Sequence, residues 1–170
     1  MSPLQLNAQE TALVAIDLQR GIAKRFREKG ALVVYVRVDV ANLLHLPVDA
    51  PSRDPNAPLP PASFSELLPE AGFEDGDLMI TKRHWGAFAG TELEERLKER
   101  GIDTVVITGI ATNVGVESTV RQGTGLGFAF VVVEDACGAR DAADHGYVLE
   151  NIFPRLARVR KTDEVITALG

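Results

Sequence analysis

Short apolar runs rich in valine and isoleucine recur along this chain, and segments of helical character separate them. TALVAID (11–17), ALVVYVRV (31–38), DLMIT (77–81), DTVVITG (103–109) and FAFVVVED (128–135) have the length and β-branched content of strands, and ARVRK (157–161) reads as a short sixth. The intervening residues predict a short basic helix over 21–29 closed by Gly30 and a short helix SFSELLPE opened by Ser63-x-x-Glu66. TELEERLKER, opened by Thr91-x-x-Glu94 and ended at Gly101, predicts another. Further helices are predicted over about 112–122 and 141–153, and Thr162 is expected to cap a last one, DEVITAL. Residues 39–62 are rich in proline, serine and aspartate and read as loop. Strand alternating with helix implies a parallel sheet covered on both faces, a three-layer α/β/α sandwich of about six strands. Near-continuous apolar strands suit a sheet buried on both sides.

At 170 residues this is a single domain, 1–170, with room for one substantial core. The first crossover constrains the fold further. Only residues 18–30 join the first strand to the second, near the minimum for a parallel connection. The chain has either a trimmed first helix or a segment missing at this point.

Composition removes several functions. The net charge is −6 and no basic block occurs, which argues against nucleic-acid binding. No apolar run approaches the length of a membrane span, and MSPLQLNAQE lacks the pattern of a signal peptide, so a cytoplasmic protein is expected. One cysteine excludes an internal disulfide framework and a cysteine-rich zinc site.

Ligands of open parallel sheets bind outside the carboxyl ends of the strands. That rule selects Asp17, Lys82, the 109–115 turn and the 134–138 turn, where polar or glycine residues interrupt the apolar runs. A carboxylate at Asp17 is placed for acid–base work, against the plainer alternative of a helix cap or solvated strand end. Lys82 in MITKRHWGAF suits pairing with that carboxylate or polarising a substrate oxygen, against a surface lysine at a strand end. GIATNVGVESTV (109–120) is a strand-to-helix turn whose backbone amides suit an oxyanion, and Gly115 leaves room for close approach. Its alternative is tight helix–sheet packing.

Cys137 in VEDACGARD reads as a small buried residue, as free cysteines commonly are. His45, His84 and His145 form no metal-binding spacing, so no metal or cofactor is expected. No phosphate-binding fingerprint occurs; the glycines of RQGTGLG (121–127) fall at a helix end rather than a start.

In order along the chain, VAIDLQ, TKRHWGAF, GIATNVGVESTV and VVVEDA resemble the isochorismatase-like hydrolase family from Thr11 to Gly170. The resemblance implies an α/β/α domain with a largely parallel sheet. Most members of that superfamily are cysteine hydrolases with an Asp–Lys–Cys triad. Asp17 matches the aspartate, Lys82 the lysine, and the nucleophile position falls on Gly115. A glycine there is similar to the true isochorismatases, which cleave a vinyl ether without a covalent nucleophile. The resemblance also implies a non-proline cis peptide near Ile110–Ala111 that aims backbone amides at the substrate. Isochorismatases carry tyrosine where this chain has Ala111, and another near Trp85. Arg37, Arg53 and Arg83 are the arginines available to hold a substrate's polar groups.

The expectation is a hydrolase of a small metabolite with Asp17 as general acid or base and Lys82 as its partner. Ile110, Ala111 and Val114 would supply oxyanion or substrate contacts, and Trp85 and Phe88 an aromatic wall, though both also suit plain core. The alternatives are a binding member of the family without catalysis, an amide hydrolase using activated water, and a less favoured role for Cys137 as nucleophile. The family resemblance implies a homodimer or homotetramer; no membrane or nucleic-acid partner is expected.

Overall fold

The computed structural model describes residues 3–16, 20–44, 46–51, 54 and 56–170, with the backbone alone at 20 and 21. Asp17, His45 and Arg53 lie outside the described residues.

Six parallel strands form one sheet in the order β3-β2-β1-β4-β5-β6. They are β1 (Thr11–Ile16), β2 (Leu32–Val38), β3 (Leu78–Lys82), β4 (Thr104–Ile110), β5 (Ala129–Gly138) and β6 (Arg158–Arg160). The helices are α1 (Arg20–Glu28), α2 (Leu93–Lys98), α3 (Glu117–Gly125), α4 (Ala142–Tyr147) and α5 (Thr162–Ala168). The order runs outward from β1 in one direction and from β4 in the other. The seam between β1 and β4 is therefore the topological switch point, where an open α/β sheet leaves a crevice.

Alternation along the strands sorts side chains into two cores. Val14, Ile16, Val36, Ile80 and Ile107 pack under α2 and α3, joined by Leu93, Leu97, Val116 and Val120. Leu13, Ala15, Tyr35, Val106 and Val133 pack under α1 and α5, joined by Ile22, Ala23, Phe26 and Val165. Burial on both faces explains why the central strands lack the polar alternation of a half-exposed sheet.

The first crossover is short because α1 is a single nine-residue helix. Ile22, Ala23 and Phe26 form its apolar stripe, at helical spacing. Gly30 takes φ 71°, a conformation that glycine adopts without a side-chain clash, and this ends the helix. Arg27 anchors α1 to the loop before β3. Its Nε donates to Asp77 Oδ1 at 2.9 Å, and its terminal nitrogens reach Asp77, Glu74 and the Gly72 carbonyl.

Several local expectations need correction. Ser63-x-x-Glu66 opens no α-helix; Ala62–Ser65 is one 3-10 turn and Pro69–Ala71 another. The Ser65 hydroxyl accepts from Val40 N instead of extending a helix, and Pro69 has no N–H to continue one. Thr91 does accept from Leu93 N, but α2 is shorter than 91–100. Thr162 does not cap α5 by itself. Asp135 on β5 accepts both Thr162 N and the Thr162 hydroxyl, while Glu164 accepts Lys161 N. β5 runs on to Gly138 through a register shift opposite Ile107–Gly109, three residues beyond its predicted end. The helix expected over 141–153 divides into α4, a π turn over Val148–Ile152 and a 3-10 turn that starts at Phe153, just before Pro154. No helix among the described residues is long and apolar enough to cross a membrane.

Candidate active site

Three segments converge at the carboxyl end of the β1–β4 seam. Ile16 ends β1, and its partner in the sheet is Gly109 of β4. After β4 the Ile110–Ala111 peptide is cis, as the sequence resemblance implied. The chain then enters a π turn over Thr112–Val116 that continues directly into α3. Gly115 lies buried in that turn. A Cβ built on it would stand 3.3 Å from Lys82 Nζ, 3.5 Å from Ile16 Cγ2 and 3.6 Å from the Trp85 carbonyl oxygen.

Lys82 is the last residue of β3, two strands from β1. Strand alternation puts it on the face of Ile80, under α2 and α3. Its side chain extends from there to the seam and is only 4% exposed. Nζ donates to the Trp85 carbonyl at 2.5 Å. Removing an ammonium from water is costly unless it is hydrogen-bonded and charge-compensated, so its burial marks a built position rather than a surface lysine.

Thr119, fully buried on α3, fixes the turn against the loop that follows Lys82. Its hydroxyl donates to the Gly115 carbonyl at 2.7 Å and accepts from Ala87 N at 3.0 Å. One turn on, Gln122 Oε1 accepts from Phe88 N, and its amide fills the space where a side chain at Gly86 would stand. At the opposite end of the turn, Thr112 Oγ1 lies 2.8 Å from His145 Nδ1, and Asn113 Nδ2 donates to Asp144 Oδ2 at 3.0 Å. Sequence reading missed Thr112, Thr119, Gln122 and His145. Thr119 lies one helical turn from Gly115, but its contact with Ala87, 32 residues away, has no local signal.

The other predicted residues separate. Val114 N and Val116 N both donate to the Ala111 carbonyl, so those two amides are committed within the turn. Ile110 is exposed at the strand end. Trp85 is 56% exposed and contributes its carbonyl to Lys82, whereas Phe88 is buried and stacks on Phe128 in the core. Arg37 alternates away from Val36, and its Nε donates to Thr81 Oγ1 beside the α1 face. Arg83 is exposed and pairs with Asp39. Cys137 pairs with Gly109 across the β4–β5 ladder. Burial pushes its thiol up to about 12, against a hydrogen bond with the Gly109 backbone. Such a thiol stays protonated and a poor nucleophile near neutral pH.

Among the described residues, no three His, Cys, Asp or Glu side chains gather as a metal site. The arrangement is a switch-point seam with a buried lysine tip, and bare backbone where a side chain would meet it. The isochorismatase domain family matches residues 21–164. This chain belongs to the isochorismatase family.

It is 45% identical to the uncharacterized isochorismatase family protein YecD of Escherichia coli O157:H7, over 98% of this chain and 100% of that protein. It is 40% identical to YwoC of Bacillus subtilis strain 168, over 98% and 97%. An isochorismatase family protein from Burkholderia thailandensis superposes with a TM-score of 0.88 at 36% identity, covering 99% of each chain. The alignment with YecD runs over 190 positions, more than this chain's 170 residues. It therefore contains internal positions that this member of the family lacks. Membership places the chain among hydrolases.

Proposed function

We propose that this protein hydrolyses the vinyl ether of a small isochorismate-type metabolite, with Asp17 as general acid and Lys82 as its partner. The observation that carries this reading is the contact between Gly115 and Lys82 Nζ, where a Cβ would be 3.3 Å from the ammonium. The resemblance to cysteine hydrolases puts the nucleophile at Gly115, so no covalent acyl-enzyme can form there. Enol-ether hydrolysis needs no such intermediate.

In that reaction Asp17 gives its proton to the terminal vinyl carbon, leaving an oxocarbenium-like centre. Water adds to that centre, losing a proton, and the hemiketal breaks its bond to the ring oxygen. The products are an alcohol and a 2-ketoacid, with one water consumed. The Lys82 ammonium orients the anionic substrate and stabilises the carboxylate that proton transfer leaves on Asp17.

The test is release of pyruvate from isochorismate by the wild-type protein and by Asp17→Asn, with circular dichroism to confirm the fold. We expect release by the wild type and a loss of about 100-fold or more in the variant, in the range of a general acid. No release by the wild type, or equal release by both, overturns the reading.

A further inference from the structure

The turn over Thr112–Val116 is clasped from outside at two successive residues. Thr112 Oγ1 lies 2.8 Å from His145 Nδ1, and Asn113 Nδ2 donates to Asp144 Oδ2 at 3.0 Å. The partners are adjacent in the turn and adjacent in α4. Two contacts side by side fix the orientation of the turn as well as its distance from α4.

Thr112, like Thr162 at the start of α5, departs from the other helix-associated threonines. Thr91, Thr119, Thr124 and Thr167 each donate to the carbonyl four residues before them. That is the ordinary way to satisfy such a hydroxyl on a helix. Thr112 opens its turn, is fully buried, and has instead an imidazole 33 residues away. Ala111, just before it, carries the carbonyl that Val114 N and Val116 N both use, and Gly115 lies three residues beyond. A rotation of the Thr112 peptide would therefore move the Ala111 carbonyl, both amides and the Gly115 backbone facing Lys82.

We infer that His145 is a positioning residue: through Thr112 its ring sets the orientation of the 111–115 peptides over Lys82. This rests on the proposed reading of the β1–β4 seam as the active site. Neither residue need touch the substrate. Error in peptide orientation degrades the transition state more than ground-state binding, because developing charge is what preorganised dipoles address.

The experiment compares His145→Leu, His145→Asn, Thr112→Val, Thr112→Ser and the Leu/Val double variant. Asparagine places an amide where Nδ1 stands, and serine keeps the hydroxyl. One readout needs no substrate: the amide resonances of Asn113, Val114 and Gly115 in 15N-labelled protein, with thermal melting recorded beside them. The other is pyruvate release from isochorismate, resolved into kcat and KM.

Loss of the pair by His145→Leu or Thr112→Val should shift those resonances and lower kcat about tenfold, with KM changed by less than about twofold. The Asn and Ser variants should recover most of both. The double variant should be no worse than either single one, as for two residues acting through one contact. Unshifted resonances in both disrupting variants overturn the inference, as does failure of Asn and Ser to restore what Leu and Val remove. If either disrupting variant does not fold, the Asn and Ser proteins decide: wild-type resonances support the clasp and displaced ones overturn it. If the wild type releases no pyruvate, the proposed function fails, while the resonances still judge the clasp.

Discussion

Gly115 and Lys82 face each other so closely that one methyl group decides what fits between them. A Cβ on Gly115 would stand 3.3 Å from Nζ, closer than side chains usually approach. The Trp85 carbonyl oxygen that accepts from Nζ stands on the same side, 3.6 Å from that Cβ position. The ammonium would have to give by a few tenths of an ångström to admit a Cβ there.

Gly115→Ala tests this contact. Alanine is favoured over glycine in helical backbone by about 1 kcal/mol, which offsets the crowding of a flexible lysine tip. The melting temperature should stay within a few degrees of wild type. Displacing Nζ by a few tenths of an ångström should lower pyruvate release about tenfold. Calorimetry and the pyruvate assay check the two halves separately, and unchanged release would show that the close approach of Gly115 to Lys82 is not used.

Gly115→Cys places a thiol beside the same ammonium. An adjacent positive charge favours the thiolate, so the new thiol should titrate below the ordinary cysteine value of 9.0. Cys137 is the internal contrast, its thiol pushed up to about 12. Iodoacetamide at pH 7 should modify one thiol per chain rapidly in the variant and almost none in the wild type. Equal rates in the two proteins would contradict the geometry.

Cys137 also predicts an alkaline limit on stability. Its ordinary value of 9.0 applies in the unfolded chain, against about 12 when folded. The folded state keeps the proton longer, so this contribution is complete below pH 9 and declines as pH rises from 9 toward 12. Burial raises Tyr35 in the same direction. Urea midpoints measured from pH 8 to 10.5 should fall in the wild type, and the fall should be shallower in Cys137→Ala.

Asp77→Asn removes the carboxylate that holds Arg27. The Asp77 side chain is only 4% exposed, and the pair is bidentate. Loss of one partner of a largely buried pair leaves the other uncompensated, at a cost of about 2–4 kcal/mol. Glu74→Gln, on the exposed rim of the same cluster, should cost less than about 1 kcal/mol. Urea unfolding with an unchanged slope and a lowered midpoint is the expected signature for Asp77→Asn.

Much of the candidate site's placement was legible because strand ends are local features. Lys82 and the 109–115 turn stand out as breaks in apolar runs, and each lies at the carboxyl end of a parallel strand. What reading along the chain could not supply is which side each residue faces once the strands are ordered. Phe88 reads equally well as pocket wall or core, and only its stacking on Phe128 decides for core. Arg37 and Lys82 both lie near strand ends, yet they project to opposite faces because Arg37 alternates with Val36 and Lys82 with Ile80.

By itself, then, the sequence determined six strands, a parallel sheet buried on both faces, and the candidate residues at its carboxyl edge. Periodicity and turn residues act within a few positions of themselves, so they survive reading in one dimension. The tertiary structure alone decided that Lys82 reaches past β2 to Gly115, that Thr119 ties Gly115 to Ala87, and that His145 meets Thr112. Those contacts join residues separated by about 30 positions. They exist because the order β3-β2-β1-β4-β5-β6 gathers the carboxyl ends of the strands around one seam.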